Sequence, residues 1–471
     1  MIDNSAPAFL QTANKFGIKL GLSRMNALLD KLSHPEKHFR AFHIAGTNGK
    51  GSVSAYCASM LAWDGQRVGL YTSPFLERFS ERIRIIEGRE GLLLWEKNDA
   101  EGEIDQESLS RLSALVEEKV KELLQEGEEH PTEFELVTAV AFLYFAEKHC
   151  DVVVLETGLG GRLDSTNVIR KPEASLITAL GYDHMDRLGD TLGKIASEKG
   201  GIIKDGCPVF ALDTHQSAVS DEEADEAGKV LLQIAEEKHA PLTWVFPSSA
   251  KRIDQDLHGQ DFLFEGQTYH IRMHGGYQLE NAALALTAMK NFVTAEARKE
   301  GLAHTMWKGR LEAVSEDPPV ILDGAHNPQG ITSFVEFTRE LPSLKRMPPC
   351  EVIMGVMADK DVSGMLSILI ENWCLPIERI TLVTPNQKRA MPAGELKAAW
   401  EQALRASKAF YNSESCMYNA KEKLDATEDP ELAAKIAIDR AKRMHSPVYV
   451  IGSLYLLGEI RGAILAELEK E

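Results

Sequence analysis

A glycine-rich turn, Gly46-Thr47-Asn48-Gly49-Lys50-Gly51-Ser52, lies between an apolar run (Ala41, Phe42, Ile44, Ala45) and a small-residue helical pattern from Val53 to Leu61. Strand, glycine loop and helix in that order point to an α/β fold with a helix N-terminus at the end of a strand. Glycines let backbone N–H groups turn inward, the helix start adds partial positive charge, and Lys50 reaches the outer phosphates of a bound chain. Ser52 offers a hydroxyl to a magnesium ion. The spacing is not that of GxxxxGK[ST]: Ile44 stands in place of the first glycine, and Gly51 separates Lys50 from Ser52. A glycine turn with no ligand is the plain alternative. Strand, helix, lysine and serine together weigh against it.

At 471 residues the chain exceeds one comfortable core, so two or three domains are expected. Hydrophobic residues make up 44 % and charged residues 26 %, as in ordinary globular proteins. The formal charge of −19 argues against a general nucleic-acid surface, while leaving room for a locally basic pocket. Six cysteines (Cys57, Cys150, Cys207, Cys350, Cys374, Cys416) are scattered without a CxxC pair, which reads as reduced thiols. No apolar run reaches transmembrane length, and Met1-Ile2-Asp3-Asn4 lacks a basic leader. A cytoplasmic protein without membrane partners is expected.

Helices are expected up to about Arg40, and strands at Val68–Tyr71, Arg82–Ile86, Val152–Leu155, Ala174–Leu180 and Pro208–Leu212. Glu107–Glu126, Phe134–His149, Asp221–Glu237 and Asn281–Phe292 read as helices, and Phe262–Met273 as a short antiparallel stretch. Strands alternating with helices indicate a parallel sheet covered on both faces. The polar stretch Thr294–Ala303 loses the apolar rhythm and marks the domain boundary. Beyond it the pattern restarts, with strands at Val320–Leu322, Glu351–Met354, Arg379–Thr384 and Val448–Ile451.

Ligands collect beyond the carboxyl ends of strands in open α/β sheets. Glu156 stands at such an end, before a glycine-rich loop, and its carboxylate suits Mg²⁺; a capping or salt-bridged glutamate is the bland reading. His184 follows the next strand, where it either ligates a metal or is simply hydrogen-bonded. Lys199 lies one helix later. It either balances phosphate charge or, with its pKa lowered by burial, reacts with CO₂ to give a carbamate. Asp323-Gly324-Ala325-His326-Asn327-Pro328 forms a further strand-end loop, which Asx turns alone also explain. Arg310 stands near the junction, as a phosphate clamp or a surface salt bridge.

Nine motifs occur in order: GTNGKGS (from Gly46), YTSPFLERFSERI (from Tyr71), TEFELVT (from Thr132), ETGLGGRLDSTN (from Glu156), DHMDRLGDT (from Asp183), SEKGGIIK (from Ser197), GRLE (from Gly309), DGAHNP (from Asp323) and GSLYLLGEIR (from Gly452). Each alone is weak. The ordered set resembles the folylpolyglutamate synthase/dihydrofolate synthase family of the Mur ligase superfamily. Only about 45 residues precede Gly46, too few for the UDP-binding domain of peptidoglycan Mur ligases.

The resemblance implies a P-loop-type, mostly parallel ATPase domain with the folate site over residues 1–302, and a smaller Rossmann-like α/β glutamate-ligase domain over 303–471. It implies an ATP-dependent ligase that adds L-glutamate to a folate, with dihydropteroate as a further acceptor, through an acyl phosphate. Gly46, Thr47, Asn48, Gly49, Lys50, Gly51 and Ser52, with Asn281, Arg310, Asp323 and His326, are expected to hold ATP. Ser73, Glu156 and His184 match magnesium ligands, with two ions expected and a monovalent cation as a further candidate. Lys199 matches a lysine carbamylated in relatives, and Lys50, His184 and Lys199 form the expected catalytic set. Leu20, Gly21, Leu22, Thr132, Glu133, Phe134, Glu135, Leu163, Asp164 and Ser165 align with pterin-substrate segments. A monomer is expected. Many relatives have histidine where this chain has Phe75, so contacts near the folate differ. The competing readings are a Mur-type amide ligase for another acid and a P-loop switch ATPase. A switch ATPase, however, normally has a Walker A loop of standard spacing and lacks an Arg310/Asp323 pair on a second domain.

Overall fold

The computed structural model describes residues 6–17, 19–215, 220–341, 344, 347–407 and 423–470. Seven strands form the first sheet: β1 (Arg40–Ala45), β2 (Arg67–Tyr71), β3 (Ile83–Glu87), β4 (Val152–Glu156), β5 (Ala174–Ile177), β6 (Val209–Leu212) and β7 (Leu242–Val245). Their spatial order is β3-β2-β4-β1-β5-β6-β7, and all neighbours are parallel except the antiparallel edge strand β3. The central pair pins the register, with Phe42 opposite Val154 and Ile44 opposite Glu156.

Central strands buried on both faces read as unbroken apolar runs, and β4 is buried throughout. Phe42, Ile44, Val152 and Val154 face the layer holding the helices Lys50–Trp63 and Gly276–Met289. Ala41, Val153 and Leu155 face the opposite layer with the helix Glu133–Glu147. The helix Lys50–Trp63 is buried from Ser52 onward, which explains its small residues and its lack of an amphipathic stripe.

A small antiparallel sheet follows, with β8 (Ala250–Asp256), β9 (Gly259–Phe264) and β10 (Gln267–Ile271) in the order β10-β9-β8. The antiparallel stretch expected at Phe262–Met273 is the second half of this unit. Its first strand escaped the sequence reading because β8 is largely exposed and polar.

The second large sheet comprises β11 (Glu312–Glu316), β12 (Pro319–Leu322), β13 (Cys350–Met354), β14 (Ile377–Val383), β15 (Leu424–Thr427) and β16 (Val448–Ile451). Its order is β11-β12-β16-β13-β14-β15, parallel except at the β11 edge. Both large sheets are thus doubly wound, the arrangement that gathers ligands beyond strand carboxyl ends.

The stretch expected to mark the domain boundary, Thr294–Ala303, is largely helical: Ala295–Ala303 is a helix, capped by the Thr294 hydroxyl accepting Ala297 N–H, and it buries Ala297, Gly301 and Leu302. Two of those three are small residues, so no apolar rhythm shows. The chain then passes through Thr305–Leu311 into β11. Cys57, Cys150, Cys207 and Cys350 are free and buried and Cys374 is free and exposed; Cys416 lies outside the described residues. Among the described residues no helix is long and apolar enough to cross a membrane.

Candidate active site

The carboxyl ends of both large sheets open onto one cavity of about 580 Å³. On the first domain's side, β1 ends at Ala45 and the helix resumes at Lys50. Gly49 is the N-cap at φ 90, where a Cβ would collide with the Asn281 side chain. A side chain there is excluded by both backbone conformation and space. The loop is braced from behind by β5, with Thr47 N–H donating to Ala179 O at 2.8 Å and Thr178 Oγ1 to Asn48 O at 2.7 Å. Lys50 Nζ folds over its own turn, donating to Gly46 O and Thr47 O at 3.2 Å each. Ser52 Oγ accepts from Gln278 Nε2 at 3.1 Å, and Asn281 Nδ2 donates to Gln278 Oε1 at 3.1 Å. Thr47 to Ser52 and Asn281 all line the cavity, whereas Gly46 lies behind it.

Beneath the loop, Lys199 Nζ donates to Gly46 O at 2.6 Å, and the residue is 4 % exposed. Burial, then the neighbouring Lys50 charge, pushes its amine well below the usual lysine range. It supports the loop from inside and does not line the cavity.

Glu156 closes β4, and its Oε2 accepts Ser73 N–H at 3.2 Å. Burial pushes its carboxyl up to about 7, against the pull of Lys50, Ser73 N–H and Arg310. His184 and Ser73 line the same cavity. His184 sits in left-handed backbone at φ 50, its ring half exposed, with burial among Lys360, Lys50 and Lys199 lowering its pKa against Asp183. Among the described residues no three His, Cys, Asp or Glu side chains converge as a metal cage. One buried carboxylate with a serine beside a phosphate loop fits magnesium, which keeps waters and takes phosphate oxygens as its other ligands.

From the second domain, Asp323 follows β12. Its Oδ2 accepts Leu311 N–H at 2.8 Å and its Oδ1 accepts Ala325 N–H at 2.9 Å. Burial raises its carboxyl to about 6, opposed by Arg310 and those two N–H groups. His326 Nδ1 lies 2.8 Å from Gly324 O, so Nδ1 carries the proton and Nε2 is left as an acceptor. Burial lowers this imidazole to about 4. Arg310 reaches the same cavity.

At the far end, Thr132 and Glu135 form a reciprocal capping box on the helix Glu133–Glu147. Arg24 Nε donates to Glu135 Oε2 at 3.1 Å, while Glu135 Oε1 is buried with no partner in the protein. Asp164 accepts Leu159 N–H at 2.8 Å, Thr166 N–H at 3.0 Å and Thr166 Oγ1–H at 2.6 Å. Leu20, Thr132, Glu133, Phe134, Glu135, Leu163, Asp164 and Ser165 all line this end. Gly21 and Leu22 do not: Leu22 opens the helix Ser23–Lys31 and packs onto the core under the helix Glu133–Glu147.

Sequence reading missed several lining residues. Lys360, after β13, ion-pairs with Asp183 at 3.3 Å across the cavity, and Arg389, after β14, lies beyond it. Gln329 Oε1 accepts from Asn48 Nδ2 at 2.6 Å. Arg82 also lines the cavity, its guanidinium 5.3 Å from the centroids of both Phe75 and Phe79 and its Nη1 3.0 Å from Glu133. The strand-end rule flags Lys360 and Arg389 once β13 and β14 are recognised.

Two family models match the chain: the Mur ligase middle domain over residues 107–289 and the dihydrofolate synthetase C-terminal domain over residues 310–463. The chain is 36 % identical over 461 residues to a dihydrofolate synthase/folylpolyglutamate synthase of Bacillus subtilis, covering 95 % of each chain. Among solved structures, it resembles a Mycobacterium tuberculosis folylpolyglutamate synthase complexed with ADP and AMPPCP at TM-score 0.79 and 25 % identity, over 99 % of this chain and 100 % of that one. It also resembles an Escherichia coli FolC in complex with DHPP and ADP, at TM-score 0.75 and 25 % identity over 99 % of both chains.

Proposed function

The chain belongs to the folylpolyglutamate synthase/dihydrofolate synthase family, and on that premise we propose how its own residues divide the work of joining L-glutamate to a folate. It is an ATP-dependent ligase. The acceptors we assign are a reduced folate, whose glutamyl tail is extended, and dihydropteroate. Residues 1–302 provide the phosphate loop and the acceptor end, and residues 303–471 the clamp that closes on the nucleotide.

A carboxylate resists attack by an amine, so the γ-phosphoryl of ATP passes first to an acceptor carboxylate oxygen, giving an acyl phosphate and ADP. The α-amine of glutamate then attacks the acyl carbon, phosphate leaves, and the ammonium proton is released. Gly49 to Ser52 present N–H groups to the phosphates, and Lys50 swings from its loop carbonyls onto the transferring group. Arg310 supplies a second cation from the other domain. His326, neutral with Nε2 as acceptor, is placed to take a proton from the attacking amine. Glu135, with one free buried oxygen, accepts N–H groups of the pterin, and Asp164 shapes the wall beside it. Magnesium held by Glu156 and Ser73, with His184 nearby, would neutralise phosphoryl oxygens. Burial lowers the Lys199 pKa and so favours the neutral amine, the form that takes up CO₂, and a carbamate there would add an anionic oxygen under the loop.

One observation carries this reading. The phosphate loop, the Arg310/Asp323 pair and the Thr132–Glu135 wall line one continuous cavity between two domains. A switch ATPase has no use for the second half of such a cavity. The test is a purified-protein assay with ATP, L-glutamate and each acceptor in turn. Phosphate release that depends on glutamate, with a glutamylated product, supports the reading. ATP hydrolysis indifferent to both substrates overturns it.

A further inference from the structure

The second domain grips the loop that carries Ser73 through partly buried ion pairs outside the cavity. Arg461, on the helix Leu454–Leu468, donates to Glu312 (Nη2 2.7 Å, Nε 3.2 Å), and from Nη1 to Glu77 at 3.0 Å and Asp99 at 3.1 Å. Its side chain is 9 % exposed. Lys308, on the linker between the domains, donates to the same Glu77 Oε2 at 2.9 Å and pairs with Asp99 at 2.6 Å. Burial alone would raise the Asp99 carboxyl, but Lys308, Arg78 and Arg461 hold it down at about 2. None of Arg461, Lys308 and Glu77 lines the cavity.

From Glu77 the structure is continuous to the phosphate end of the site. The Glu81 carboxylate accepts the N–H groups of Leu76, Glu77 and Arg78 at 2.6, 3.2 and 3.2 Å, which fixes the loop backbone. Leu76 packs into the second domain's core beside Leu454, and Gly458 lies so close over Leu76 O that a Cβ there would collide with it. At the loop's other end, Ser73 N–H is bonded to Glu156. So short a loop, fixed along its backbone, transmits movement rather than absorbing it.

We propose that Arg461 and Lys308 are positioning residues for the ATP-dependent step: by gripping Glu77 they seat the Ser73 loop against Glu156 when the second domain is docked. The helix Leu454–Leu468 thereby adds to nucleotide affinity without touching nucleotide. This rests on the reading of the Ser73–Glu156 wall as the phosphate end of the site. A merely structural network would lower the melting temperature and leave binding unchanged.

Glu77→Gln separates the two, because Arg461 keeps Glu312 and Asp99, and Lys308 keeps Asp99 and Glu81. Calorimetric titration with β,γ-methylene-ATP and magnesium is expected to show affinity weakened about fivefold to tenfold in Glu77→Gln and in Arg461→Met. The double variant is expected to be no weaker than the weaker single variant, since both cut one link, and Arg461→Lys to recover most of the loss. Wild-type affinity in both single variants, whatever their melting temperatures, or losses that multiply in the double variant, would overturn the proposal. A wild-type protein that binds the nucleotide yet joins no glutamate would instead refute the ligase reading, and the titrations would still decide this one.

Discussion

Asn48 Nδ2 in the phosphate loop donates to Gln329 Oε1 of the second domain at 2.6 Å, a direct bond between the nucleotide grip and the domain that closes over it. Gln329 follows Asn327 and Pro328 at the start of a helix, so its position is set by that helix and by β12 behind it. Gln329→Ala removes one such hydrogen bond, worth about 1 kcal/mol, so kcat/KM for ATP is expected to fall about fivefold. Steady-state kinetics with ATP varied check this; an unchanged kcat/KM would show that the contact does not persist in the working enzyme.

Lys50 is held by the carbonyls of Gly46 and Thr47, contacts a bound triphosphate replaces. Lys50→Ala is expected to lower kcat by about 10²–10³-fold, the cost of losing a preorganised charge at a transferring phosphoryl group. Circular dichroism and melting temperature are expected to stay near wild type, because the lysine stem is not part of the core.

The Phe75 ring lies under the Arg82 guanidinium, which lines the cavity and pairs with Glu133. Phe75→His weakens that cation–π contact. KM for the folate acceptor is expected to rise about twofold to fivefold with KM for ATP unchanged, from a contact worth about 0.5–1 kcal/mol. Parallel kinetics with each substrate varied separate the two constants.

Asp323 gives a pH signature. Burial lifts its carboxyl from 3.8 to about 6 in the folded chain. An acid with a raised folded pKa binds its proton more tightly when folded, so its ionisation removes stability as pH rises from about 4 to about 6. The loss is at most about 3 kcal/mol. Glu156, raised to about 7, adds a slope of the same sign over an overlapping range. Urea unfolding of ligand-free protein is expected to show wild type losing stability relative to Asp323→Asn as pH rises from about 4 to about 6. The buried His326, lowered to about 4, adds a rise with pH common to both proteins.

The parts of the fold legible in the sequence are those buried on both faces. β4 and β12 read as strands because every residue in them is buried, and Glu156 and Asp323 stood out as the polar groups that end those runs. β8 and β11 did not, since edge strands facing water carry polar residues that mimic loops. The helix Ala295–Ala303 was hidden by its small buried residues. Leu22 shows the opposite error, a motif-adjacent residue that the packing turns away from the cavity. Gln329 and Lys360 depend on how two domains dock, and Arg461 on partners from Glu77 to Glu312. Local periodicity carries no information about such contacts.

The most direct test of the account follows oxygen. With the acceptor's carboxylate labelled with ¹⁸O, the acyl-phosphate route carries one labelled oxygen into the phosphate released as L-glutamate is joined. The account predicts labelled inorganic phosphate, unlabelled ADP and one label retained in the new amide. Labelled AMP, or product formed alongside unlabelled phosphate, would contradict it.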